Sequence, residues 1–231
     1  MPSLIPSTVW VIIPAYNESK TIALVLEQLV LYGYHVVVVD DGSSDETSLR
    51  VLQFPVILHK HAVNLGQGAA LQTGLEYALG QSTGRYIVTF DADGQHNAGD
   101  IAVLLEPLLS GRFEAILGSR FIAGGKATGI GAWRRFVLRL AVLFTRLTTG
   151  LGVTDTHNGL RAFTIEAAAK IKITQNRMAH ASEILSQIGR QKLCYCEVPV
   201  KVAYTSYSQS KGQQVIEGIN ILWDIISGKL R

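Results

Sequence analysis

Short apolar runs, each closed by a polar cluster and each followed by apolar residues at helical spacing, recur through the first half of this chain. Val9-Trp10-Val11-Ile12-Ile13-Pro14 is the first, unbroken by any charge, as a central parallel strand covered on both faces requires. Ile22, Val25, Leu26 and Leu29 follow at helical spacing, with Gly33 as the stop. His35 to Val39 is a second strand, Glu46 to Leu52 a short helix, and Val56 to His59 a third strand. Asn64-Leu65-Gly66-Gln67-Gly68 opens a helix to about Leu79, and Arg85 to Phe90 is a fourth strand. Strand alternating with helix predicts an α/β fold, with a mostly parallel central sheet and helices on both faces.

Such a sheet gathers the ends of its strands along one edge, where open α/β folds bind ligands. The strand ends read Pro14-Ala15-Tyr16-Asn17-Glu18, Asp40-Asp41-Gly42-Ser43, Asp91-Ala92-Asp93 and Gly118-Ser119-Arg120. Asp91 and Asp93 stand one residue apart, so an extended backbone points both side chains the same way. Two hard oxygen ligands suit Mg²⁺ or Mn²⁺, held by carboxylates and completed by substrate phosphates. An isolated Asp-x-Asp-Gly is equally an ordinary turn, and its neighbours on the rim favour the metal reading.

Composition narrows the setting. The 231 residues are 48% hydrophobic and 17% charged, without an apolar run long enough to cross a bilayer. Met1 to Thr8 lacks the basic and apolar regions of a secretion signal, so a cytoplasmic location at the inner face of the membrane is expected. Cys194 and Cys196, two apart in a predicted strand, are poorly placed to pair with each other. A net charge of +3 gives no ground for a nucleic-acid partner.

Beyond Asp100 the pattern changes. A helix to about Leu109 leads into the strand Ala115 to Arg120, then a loop carrying Gly124, Gly125, Gly129 and Gly131, either a substrate lid or a plain connector. Trp133 to Leu151 is an apolar helix with Arg134, Arg135, Arg139 and Arg146, either lying on an anionic membrane or packed with a solvated arginine face. A late strand spans Val198 to Tyr204, and Val215 to Leu230 forms a C-terminal amphipathic helix.

These motifs, in this order, resemble the family-two inverting glycosyltransferases of GT-A fold, and within them the dolichyl-phosphate mannosyltransferase and polyprenyl-phosphate glycosyltransferase branch. The resemblance runs from Val9 to about Lys211. It implies a GT-A domain over residues 1–212, with a nucleotide-binding half at about 9–120 and an acceptor-binding half at about 121–212, followed by the helix at 213–231.

It also implies roles. Pro14, Tyr16 and Glu18 match positions lining the nucleotide pocket. Asp41 matches an aspartate that hydrogen-bonds the base, with Val39 beside it. Asp91, Ala92 and Asp93 match the segment that meets ribose and metal, with Gln95 as a further ligand, and the metal neutralises the departing diphosphate. Arg120 matches a phosphate-binding arginine and Lys211 approaches the donor from a closing loop. Arg120, Arg134, Arg135 and Arg161 are candidates for the acceptor; Arg161 equally suits bracing its own loop against a carboxylate. Glu183 is the candidate general base, unless the acceptor is a phosphate, already anionic and needing none. His157 and His180 are either metal ligands or structural histidines.

The expected activity is metal-dependent transfer of a sugar from a UDP- or GDP-linked donor, with inversion, to a polyprenyl phosphate or other envelope acceptor. Two departures stand out: no arginine precedes Ser210-Lys211, and apolar residues replace the polar ones that relatives carry on the acceptor helix. The alternatives are a sugar nucleotidyltransferase, for which the opening lacks a glycine-rich phosphate loop, and a non-catalytic nucleotide-sugar-binding partner of a membrane assembly. A dehydrogenase would need the Gly-x-Gly-x-x-Gly turn that the first strand does not have.

Overall fold

The computed structural model describes residues 6–128, 132–177 and 179–203. After a 3-10 turn, Pro6–Thr8, the elements run β1 Val9–Ala15, α1 Ile22–Leu31, β2 His35–Asp40, α2 Thr47–Val51, β3 Ile57–Lys60, α3 Gln67–Leu79 and β4 Tyr86–Thr89. Then follow α4 Asp100–Leu109, β5 Ala115–Ser119, β6 Lys126–Thr128, α5 Ala132–Thr149, β7 Arg161–Thr164, α6 Ile165–Lys170, α7 His180–Arg190, β8 Tyr195–Pro199 and β9 Lys201–Ala203.

The central sheet has the order β3-β2-β1-β4-β7-β5-β8, and β6 pairs with β9 in a small second sheet. Every pairing in the central sheet is parallel except those of β7, which runs antiparallel between β4 and β5. β1 lies inside the sheet between β2 and β4, and every one of its residues is buried. Its alternation divides the core: Val9, Val11 and Ile13 pack with α1 and α4 residues such as Leu26 and Leu104, while Trp10 and Ile12 pack with Leu71 and Leu75 of α3. Gly74 lets α3 seat on the sheet, because a Cβ there would lie 2.4 Å from Ile12 Cγ2.

The predicted parallel sheet with helices on both faces is therefore observed, with one addition. Arg161–Thr164 was not expected as a strand: four residues opening on arginine carry no apolar run, and only insertion between β4 and β5 buries them. The late strand divides at Val200 into the end of β8 and all of β9, in different sheets. Gly124 and Gly125 lead into β6, so the glycine-rich segment begins by pairing with β9 rather than as an open loop. Gly129, Gly131, Tyr204, Lys211 and the helix expected at 213–231 lie outside the described residues, as do the side chains of Arg134 and Arg135 on α5.

Candidate active site

The rim formed by the ends of β1 and β2 is stitched by short polar side chains. Asn17 takes a left-handed backbone, φ 53°, and its Oδ1 accepts the Ser44 N–H at 2.9 Å. In return, the backbone N–H groups of Asn17 and Glu18 donate to Ser43 Oγ and Thr47 Oγ1 at 2.9 and 2.8 Å. Burial raises the Asp45 carboxyl, but the hydrogen bonds it accepts from Ser19 N–H and from Thr47 together outweigh this and hold it down at about 2. Two loops far apart in sequence thus present Tyr16, 45% exposed, and the half-buried Glu18 on one fixed edge.

Asp41 is buried on the same edge. Its Oδ1 accepts the Leu65 N–H at 3.0 Å and His61 Nδ1 at 2.7 Å, and its Oδ2 accepts the Gly66 N–H at 2.7 Å. These contacts fix the turn that starts α3. Gly66, at φ +107°, and Gly68 are required there, since a Cβ on either would lie about 2 Å from the Asn176 or Gln175 carbonyl.

Asp91 and Asp93 follow β4 next to this turn. Gln67 Nε2 donates to Asp91 Oδ1 at 3.1 Å, and His96 Nε2 lies 3.4 Å from Oδ2. Gly159 presses on the same carboxylate so closely that a Cβ would lie 2.1 Å from Oδ2. Thr89 Oγ1 clamps that glycine by donating to its carbonyl at 2.6 Å. Burial opposes the charge on Asp91, but His96, His180 and Arg161 together hold its carboxyl below the ordinary range. Asp93 moves the other way, pushed up to about 6 by burial and by the negative charge of Asp91. Gln95 steadies it, its N–H and Nε2 donating at 3.0 and 2.6 Å. Two adjacent carboxylates that repel each other at a ligand-binding edge form a donor set that fits Mg²⁺ or Mn²⁺. Among the described residues no third acidic, histidine or cysteine side chain joins them into a preformed cluster.

Across the rim, Arg120 and Asp155 form a buried bidentate pair, Nε to Oδ2 and Nη2 to Oδ1 both at 2.6 Å. Burial works against the Asp155 charge, yet the arginine holds its carboxyl well below the usual range. Arg161 is buried and donates to the Asn158, Thr156 and Ala181 carbonyls at 3.1–3.4 Å; burial lowers its guanidinium to about 10, still charged at neutral pH. Burial also drives His157 and His180 down to about 4, so both imidazoles are neutral. Glu183, in the first turn of α7, accepts the N–H groups of Thr174 and Gln175 at 2.9–3.1 Å, and the Thr174 hydroxyl.

The model of Glycosyl transferase family 2 matches residues 10–171. The chain is a family-two glycosyltransferase. It is 36% identical to the UDP-N-acetylglucosamine--dolichyl-phosphate N-acetylglucosaminyltransferase of Methanococcus voltae, over 96% of each chain. It is 32% identical to the polyprenol monophosphomannose synthase of Mycolicibacterium smegmatis, over 71% of this chain and 64% of that one. Among solved structures, glucosyl-3-phosphoglycerate synthase from Mycobacterium tuberculosis aligns with a TM-score of 0.71 at 20% identity, covering 96% of this chain and 79% of that chain. A crystal of the same enzyme with Mn²⁺, UDP-glucose and phosphoglyceric acid aligns at 0.68 and 20% identity, over 87% and 76%. This likeness fixes the fold as GT-A.

In the glycosyltransferase, the residues expected from sequence fall into two groups. Tyr16, Glu18, Asp41, Asp91, Asp93 and Gln95 do share one edge of the sheet. Val39 and Ala92 stand beside them, their side chains packed into the core on opposite faces of the sheet. The buried Pro14 belongs to β1 itself. Arg120, expected at a phosphate, pairs its Nε and Nη2 with Asp155. Arg161 donates to the carbonyls of Asn158, Thr156 and Ala181. Glu183 is occupied in holding residues 174–175. Sequence reasoning stopped one residue short of His96 and overlooked Gln67 and Gly159. Only the fold brings these three to Asp91.

Proposed function

We propose that this glycosyltransferase moves a sugar from a UDP-linked donor to a polyprenyl phosphate, with inversion, in a reaction that needs a divalent cation. The observation that carries the reading is the Asp91–Asp93 pair on the rim shared with Tyr16, Glu18 and Asp41, supported by the acceptors and donors named for its relatives. Asp91 and Asp93 would hold the cation, with Gln95 able to offer its side-chain oxygen. When bound, that cation supplies neutralising charge to the departing diphosphate.

The chain's own residues do the rest. Gln67, His96 and Gly159 fix Asp91 from three sides, so the carboxylate is ordered before substrate arrives. Tyr16 offers an aromatic face to the base, and one lone pair of the Asp41 carboxylate remains for a ring N–H. A phosphate acceptor is anionic at neutral pH, so Glu183 need not act as a base and stays on residues 174–175. The lipid acceptor is met at a membrane surface. No helix among the described residues is long and apolar enough to cross one, but α5 exposes Leu140, Leu143 and Leu147 beside Arg139 and Arg146.

Incubation of the protein with Mn²⁺, polyprenyl phosphate and a panel of UDP- and GDP-sugars tests this reading. UDP release and a glycolipid product are expected with a UDP-sugar, and Asp93→Ala should lower turnover by about 10³-fold, equivalent to roughly 4 kcal/mol. Pyrophosphate as product, or equal turnover by the variant, would overturn it.

A further inference from the structure

We infer that His61 and Thr73 are positioning residues for the nucleotide base, acting through Asp41; this rests on the reading that Asp41 accepts a ring N–H of the donor. The three side chains form a chain: Asp41 Oδ1 to His61 Nδ1 at 2.7 Å, and His61 Nε2 to Thr73 Oγ1 at 2.9 Å. A carboxylate only accepts, so Nδ1 carries the proton, and the Nε2–Thr73 Oγ1 hydrogen bond holds the other side of the ring. His61 is itself tied to the sheet, its N–H donating to the Asp40 carbonyl at 2.9 Å, while Thr73 stands in the second turn of the rigid α3. Asp41 thus receives three donors, from His61, Leu65 and Gly66, and its side chain is 4% exposed.

A carboxylate has about four acceptor positions, so these three donors leave one, on Oδ2, and fix the direction in which it points. Uracil and guanine carry a ring N–H that this lone pair can take; cytosine has none at that position. His61 therefore sets base selectivity without touching the base. Freed from His61, Asp41 could turn its open lone pair away from the ligand, and selectivity would fall while contacts to ribose and diphosphate persisted.

The experiment measures the ratio of UDP to CDP affinity in the presence of Mn²⁺, a ratio that general loss of structure does not move. His61→Ala should lower this ratio by about tenfold, corresponding to the loss of one hydrogen bond to a charged group. His61→Asn, which keeps a donor near the Nδ1 position, should restore most of it, and Thr73→Val should lower it by a smaller factor. Thr73→Val also serves if His61→Ala does not fold. Asp41→Asn separates the two levels. If Asp41→Asn collapses the ratio while His61→Ala and Thr73→Val leave it at the wild-type value, the positioning role is wrong and the base contact stands. If Asp41→Asn leaves it unchanged, the base contact itself is wrong, and the positioning role falls with it.

Discussion

The two halves of the rim use their charged residues differently. On the side built from β1, β2 and β4, Asp41 and Asp45 share the internal hydrogen bonds with neutral groups such as Ser43, Thr47, Asn17 and Gln67, leaving Tyr16 exposed and Asp93 poised with a raised carboxyl pKa. On the side built from β5, β7 and α7, the charges are themselves the framework: Arg120 closes on Asp155, Glu197 accepts the Thr154 N–H, and Glu183 holds residues 174–175. The lesson is that a charge near a site is no guide to a role in chemistry. What decides is how much of it the backbone and neighbouring charges have already claimed.

Breaking this contrast is most direct at Asp155. Asp155→Ala strands the buried Arg120 charge and should cost about 3–5 kcal/mol of stability, a drop of roughly 10 °C in Tm. Calorimetry would show it, and a shift under 2 °C would mean that this side is not held by its charges.

Acid should expose the same side next. His180 titrates near 6.5 unfolded but is pushed down to about 4 by burial in the folded protein. Between these values the unfolded chain binds a proton that the folded one refuses, so stability is complete above about 6.5 and falls as pH drops towards 4. His180 alone should account for about 3 kcal/mol of that loss. Asp155, in the same region, has a carboxyl that Arg120 holds down against burial, so its contribution goes only at still lower pH. Urea midpoints at pH 7.5, 5.5 and 4.5 would measure the slope, which His180→Gln should flatten.

On the other side of the rim, a purely steric change should damage activity rather than stability. Gly159→Ala drives a methyl group into Asp91 and should lower kcat by roughly 10²-fold through displacement of that carboxylate. Turnover within twofold of wild type would show that Asp91 tolerates movement. Smallest of all, Glu183→Gln should leave kcat with a polyprenyl phosphate within about twofold and cost about 1 kcal/mol in stability, by weakening the hold on residues 174–175. A hundredfold loss of kcat would return Glu183 to the chemistry.

Where the sequence was legible, the reason was local. β1 and β2 announce themselves because a strand buried on both faces must be apolar throughout, and the Asp91-x-Asp93 pair lies beside its own strand in sequence. β7 was illegible because its burial comes from β4 and β5, which lie far from it along the chain. Glu183 was legible as a carboxylate on a helix, but the N–H groups that claim it come from a segment with no periodicity to read.

By itself, then, the sequence determined the alternation of strand and helix, the edge on which polar residues gather, and the pair of carboxylates after β4, since each follows from side-chain chemistry within a few residues. Only the tertiary structure decided which charges remain available. Hydrogen-bond partners such as Arg120 for Asp155, or His61 for Asp41, are supplied across tens of residues, and a buried charge takes the partner the fold brings to it.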